Sequence, residues 1–149
     1  MTKQIEIKQQ LMQSLGMQPD RETRPQGGLH SELTHEIVGA AIEVHRHLGP
    51  GQLESLYQRA LEHELVLRGI PFHAQMPVSM KYKGVGVGDL VVDFLVDRKV
   101  VIELKSVAGF QPVHFAQVLS YLRATNLELG LLINFNVPVL WRGVRRLIR

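Results

Sequence analysis

Between Ser31 and Arg68 the apolar positions recur every three or four residues: Leu33, Ile37, Ala40, Ala41, Val44 and Leu48, then Leu53, Leu56, Tyr57, Ala60, Leu61 and Leu65. That spacing lines one side of a helix. It predicts a first helix capped by Ser31 and running to Leu48, closed by Gly49-Pro50-Gly51, and a second from Gln52 to Arg68, stopped by Gly69 before Pro71. After Phe72 the period drops to two. Val78–Tyr82 alternates like a half-exposed strand, Lys83–Gly88 reads as a glycine-rich turn, and Leu90–Val96 and Val100–Val107 read as two strands around Asp97-Arg98-Lys99. A third helix is predicted over Gln111–Ala124, with Pro112 in its first turn. The continuous apolar run Leu129–Phe135 has the character of a strand covered on both faces, and Val137–Trp141 is predicted as the last strand. Helix, helix, three strands, helix, two strands is the order of an α/β or α+β fold with helices on a mixed sheet.

Ahead of this domain, residues 1–30 read as an extension. Ile7, Leu11 and Leu15 suggest a short helix, and the two prolines and Gly-Gly of Gln18–Gly28 suggest a partly disordered linker. The domain itself is placed at 31–149.

The strand Val100–Val107 carries Glu103 and Lys105 inside a Val/Ile/Leu run. Alternation puts both on one face, with Ile102 and Leu104 on the other. Burying charges is unfavourable unless they pair, bind metal or sit at a strand end beside a cleft. Across a hairpin, directly opposed residues have a constant sum of position numbers. A three-residue loop at Asp97-Arg98-Lys99 sets that sum to 196 and places Asp93 opposite Glu103; a two-residue loop sends the two carboxylates to opposite faces. Close carboxylates repel, and a hard cation such as magnesium offsets the repulsion. The plain alternative is an ion pair of Asp93 and Glu103 with Lys105 or Lys99. Asp89, four residues before Asp93, is an alternate ligand, although its place beside Gly88 suits a turn.

Gly51-Gln52-Leu53-Glu54-Ser55-Leu56-Tyr57 is a Gly-x-x-Glu-x-x-Tyr motif. Together with Asp93, Glu103-Leu104-Lys105, Gln117-Val118-Leu119-Ser120-Tyr121-Leu122 and Leu131–Phe135, it resembles the GxxExxY protein family of the PD-(D/E)XK nuclease superfamily, from about Leu33 onward. The resemblance implies a restriction-endonuclease-like central mixed β-sheet flanked by helices. It implies Asp93 and Glu103 as metal ligands with Glu54 as an additional helical carboxylate, Mg (or Mn) as the ion, and Lys105 as the residue that orients water and stabilises charge. Tyr57, Gln117 and Tyr121 take supporting or substrate-binding places. Val92 stands where the superfamily's name has a proline.

The implied function is hydrolysis of phosphodiester bonds in DNA. The alternatives are a non-catalytic nucleic-acid- or protein-binding module on the same fold, and a hydrolase of another phosphoester. Nucleic acid, DNA foremost, is the implied partner; a homodimer is left open. Glu54 also suits the positive end of a helix dipole, and Tyr57 suits core packing.

Composition trims the list. There is no cysteine, so thiolate zinc sites, disulfides and cysteine nucleophiles are excluded, which fits the cytoplasm. His45 and His47, two apart on a helix, face different directions and do not share a metal. The glycine run lacks the Gly-Lys-Ser/Thr of a phosphate loop, and serine-histidine catalysis lacks a nucleophile turn. No run approaches the length of a membrane span, and no secretion signal is expected. The net charge of +3 is mild, but four arginines fall within Trp141–Arg149, a basic edge that suits phosphates or solvent.

Overall fold

A computed structural model describes residues 28–149, so the expected N-terminal helix and nearly all of the linker lie outside the described residues. Helices α1 (Ser31–Leu48) and α2 (Glu54–Leu67) are followed by strands β1 (Phe72–Tyr82), β2 (Val85–Val96) and β3 (Val100–Lys105), helix α3 (Pro112–Thr125), strand β4 (Leu129–Asn134), a 3-10 turn at Leu140–Gly143 and strand β5 (Val144–Ile148). The five strands form one sheet in sequence order. Only β3 and β4 are parallel, and α3 is the crossover between them.

Each face of the sheet has its own core. Ile37, Ala40, Ala41 and Val44 of α1 and Tyr57, Leu61 and Leu65 of α2 pack on Val100, Ile102, Leu104, Leu129, Leu131 and Ile133. On the other face Phe115, Val118, Leu119 and Leu122 of α3 pack on Val101 and Leu132. Gly130 is needed there: a Cβ at this position would lie 2.6 Å from Val118 Cγ1. By alternation with Val101, Glu103 and Lys105 face the α3 layer. Among the described residues, no helix is long and apolar enough to cross a membrane.

Four sequence expectations change. Ser31 is the first helical residue of α1 rather than its cap; His30 holds the cap position in a left-handed conformation without a side-chain cap bond. The first strand begins at Phe72 and not Val78, because β1 lies at the sheet edge, where Pro77 has no ladder donor to supply on its open side. The glycine-rich connection shrinks to Lys83-Gly84, both at positive φ (47° and 82°), the geometry of a tight two-residue hairpin turn. Finally, the last strand is Val144–Ile148. Residues 137–141 have strand-like composition, but Pro138 lacks an N–H and the chain coils at Leu140–Gly143. Gly143 passes so close to Asn134 that a Cβ would stand 2.2 Å from its carbonyl oxygen.

The β1–β2 hairpin changes faces partway along. Phe72, Ala74, Phe94 and Val96 belong with the α1/α2 core, whereas Met76, Val78, Leu90 and Val92 pack with the α3 core. The switch falls between the pairs Ala74↔Phe94 and Met76↔Val92, at Gln75, with φ 50°, and Asp93 across from it. An ordinary strand keeps even positions on one face. The kink therefore frees Asp93 from the regular alternation on which the Asp89 ligand expectation depends.

Candidate functional site

The β2–β3 register is Phe94↔Ile102, Leu95↔Val101 and Val96↔Val100, every pair summing to 196. The loop is the three residues Asp97–Lys99, with Asp97 and Arg98 both left-handed. Continued one step, this register sets Asp93 level with Glu103. The ladder stops first. Beyond Phe94, β2 leaves β3, and the Asp93 side chain takes over the vacated contact: its Oδ2 accepts the Leu104 N–H at 2.8 Å, and its Oδ1 accepts from Gln75 Nε2 at 3.1 Å. Asp93 is thus fixed at the point where two strands diverge.

Glu103 is 3% exposed. Its Oε1 accepts from Lys105 Nζ at 3.2 Å, the spacing expected for i and i+2 on one strand face. Its Oε2 is buried without a hydrogen-bond partner. Burial, reinforced by the neighbouring Asp93 charge and opposed by Lys105, pushes the Glu103 carboxyl up to about 8.

Glu54 opens α2. The residue as a whole is exposed, but protein crowding desolvates its carboxyl and raises its pKa; Lys105 opposes this and Asp93 adds to it. Two contacts tie the start of α2 to the site. Ser106 Oγ donates to Gln52 O at 2.7 Å, and Gln58 Nε2 donates to the Asp93 carbonyl at 3.2 Å. Sequence reading passes over Gln58, Gln75 and Ser106, and their only sequence signal is a polar residue at a position that periodicity would make apolar or leave blank.

Tyr57 is fully buried. Its ring stacks on Phe135 with centroids 4.3 Å apart, while its hydroxyl donates to Gly49 O and accepts the Gln52 N–H at 3.1 Å. It therefore fixes the loop that leads into α2 and Glu54. On α3, Gln117 Nε2 donates to the Tyr121 hydroxyl at 2.8 Å. Burial, with the Glu103 carboxylate next in weight, drives that phenol up to about 12. His114 Nδ1 accepts the Gln111 N–H at 2.9 Å and so caps α3; burial first and Lys105 second lower its pKa.

Asp93, Glu103, Lys105 and Glu54 thus lie in one mutual field, with Tyr121 and His114 bordering it. Asp89 stands apart, exposed and opposite Ser79. His45 Nε2 meets Val137 O at 2.8 Å and His47 Nδ1 meets Glu43, so the two rings serve separate partners. The C-terminal arginines are largely spent on backbone: Arg145 donates to Arg142 O and Val144 O, Arg146 to Leu29 O, and Arg149 to Leu122 O.

The donors suit a hard divalent ion in kind. They are carboxylate oxygens, one of them orphaned in the interior, and each Asp93 oxygen keeps a second lone pair beyond its present bond. Among the described residues no group of three or more His, Cys, Asp or Glu is assembled closely enough to hold an ion by itself. Magnesium does not require one, since it binds through one or two carboxylates, water and substrate phosphate.

A mixed five-stranded sheet with two helices ahead of the first strand, and an acid, an acid and a lysine where β2 and β3 part, is the architecture of a nuclease-like α/β domain. The chain belongs to the PD-(D/E)XK nuclease superfamily, whose family model matches residues 31–147. No curated protein and no solved structure matches it.

Proposed function

We propose that this domain is a metal-dependent nuclease that hydrolyses phosphodiester bonds in DNA, a member of the GxxExxY branch of its superfamily. The observation that carries the reading is the Glu103 carboxyl buried against Asp93, with Lys105 on the same face. Two acids held against each other in the interior keep a proton between them, and a divalent cation is the group that can replace it and leave both ionised. Asp93 and Glu103, with Glu54 reaching from α2, would hold Mg or Mn.

When bound, such an ion neutralises a phosphate oxygen and acidifies water, easing the two main obstacles to attack on a phosphodiester. The chain's own residues do the rest. Glu103 holds the Lys105 ammonium at 3.2 Å, so this cation is positioned before substrate arrives. Lys105 orients the attacking water and stabilises negative charge as it builds on the phosphoryl oxygens, as a preorganised point charge does in a dry site. Asp93, anchored by the Leu104 N–H, keeps its geometry without reorganisation. Gln117 lies on the α3 side, where its amide suits the substrate backbone, and the buried Tyr121 hydroxyl accepts from it and holds it in place.

Titration calorimetry with magnesium and with manganese tests the ligand assignment. Wild type binds ion in the presence of duplex DNA and Asp93→Ala does not; absence of binding by wild type even with DNA present rejects the reading. A second reading is a non-catalytic module that keeps the fold, since among the described residues no three-ligand cluster is assembled. Tight, salt-sensitive nucleic-acid binding with no magnesium-dependent products would establish that one.

A further inference from the structure

Beyond Asp93 the β1–β2 hairpin continues as an arm. Every residue from Lys81 to Asp89 is exposed, and Tyr82, Val85 and Val87 are 65%, 65% and 64% exposed. A Cβ built on Gly84, Gly86 or Gly88 would meet nothing within 4 Å, so the tip stands clear of the body. At the tip, Lys81 and Lys83 flank Tyr82, and Lys83 Nζ sits 5.5 Å from the Tyr82 ring centre. Asp89 is the arm's one acid, and neither lysine has a carboxylate partner among the described residues.

An isolated ribbon with exposed tyrosine and valines is hard to explain as fold stabilisation, since it buries little. Its chemistry is that of a nucleic-acid contact: two cations for phosphates, an aromatic face for bases or sugars, and glycines that let backbone approach closely. A two-stranded ribbon also fits the major groove. We propose that this hairpin is an arm that grips duplex DNA away from the acidic cluster, with Lys81 and Lys83 on phosphates and Tyr82 against the groove surface. The proposal rests on the nuclease reading, and it adds a length requirement. From Val85 to Asp93 is eight strand steps, ~27 Å at about 3.4 Å each, or about eight base pairs of duplex.

The test is fluorescence anisotropy on the full chain without divalent metal, using labelled duplexes of about 30 and about 6 base pairs. Wild type is compared with the Lys81→Ala, Lys83→Ala double variant and with Lys83→Glu. At about 0.9 counterion per lysine, the double variant loses about 1.8 from the salt slope. Its affinity deficit on the long duplex therefore narrows about twelvefold between 50 and 200 mM salt. On the short duplex, too short to reach from the tip to the acidic cluster, wild type itself binds more weakly than on the long one. Equal affinity and slope for wild type and variants on the long duplex overturns the arm and leaves the nuclease reading intact. Wild type that binds neither duplex at any salt overturns the arm, and the nuclease reading is then judged by the ion-binding test with DNA present.

Discussion

Replacing Glu103 by Gln probes the buried carboxyl directly, because the amide copies the protonated acid: its oxygen still accepts from Lys105, and its NH2 faces Asp93. The folded chain holds the Glu103 proton up to about 8, against an ordinary value of 4.5. A raised carboxyl contributes stability that is present below 4.5 and is lost as pH rises through about 8, because in that window the folded state keeps a proton the unfolded state has released. The distance from 4.5 to about 8 sets a ceiling of ~5 kcal/mol, and relaxation of the interior together with the Lys105 ammonium lowers the expected swing to about 1–3 kcal/mol. Thermal unfolding followed by circular dichroism at pH 5 and pH 9, with chelator present, measures it. At pH 5 wild type and Glu103→Gln melt close together. At pH 9 the variant melts higher, by about 4 °C per kcal/mol for a chain of this length. A difference in melting temperature that is the same at both pH values would refute the argument that burial and Asp93 load this carboxyl.

Three other substitutions test the supports. Asp93→Ala removes the acceptor of the Leu104 N–H and should cost about 1–3 kcal/mol in urea unfolding, independently of any metal; an unchanged midpoint would show that water replaces the carboxylate there. Tyr57→Phe keeps the stack on Phe135 but strips Gly49 O and Gln52 N–H of their partner, a loss of about 1–2 kcal/mol accompanied by faster amide exchange at Gln52; unaltered exchange would detach Tyr57 from the loop that carries Glu54. Gly143→Ala forces a methyl against the Asn134 carbonyl and should lower the melting temperature by well over 5 °C; a melting temperature within 1 °C of wild type would mean that the loop has room to move.

Much of this arrangement is legible in the sequence because it follows from periodicity. The change from helical to strand spacing at Phe72 gives the element order, and the hairpin at Asp97–Lys99 narrows the register to two, of which the three-residue loop is the one found. Glu103 and Lys105 stand out because they are charges in an apolar run. What periodicity cannot carry is the kink at Gln75 and Asp93, where the hairpin passes from one core to the other. Hydrogen bonds between distant residues, such as Gln58 to Asp93 and Ser106 to Gln52, likewise leave no local trace. The last strand is displaced for a related reason. Val144–Ile148 looks like a basic tail, yet Arg145 and Arg146 turn their guanidinium groups onto carbonyls, and Leu147 and Val144 enter the two cores. Tyr57 shows the limit of motif reading, since the family pattern marks it beside Glu54 whereas physically it is a core residue that holds the loop.

The most direct test of the central claim is cleavage of supercoiled plasmid in magnesium or manganese by wild type and by Lys105→Ala. Wild type should nick or linearise the DNA, with chelator abolishing the products. Lys105→Ala should lose cleavage while retaining its fold and much of its DNA affinity. Equal cleavage by the two proteins would contradict the assignment of Lys105 and, with it, the reading of the β2–β3 divergence as a nuclease site.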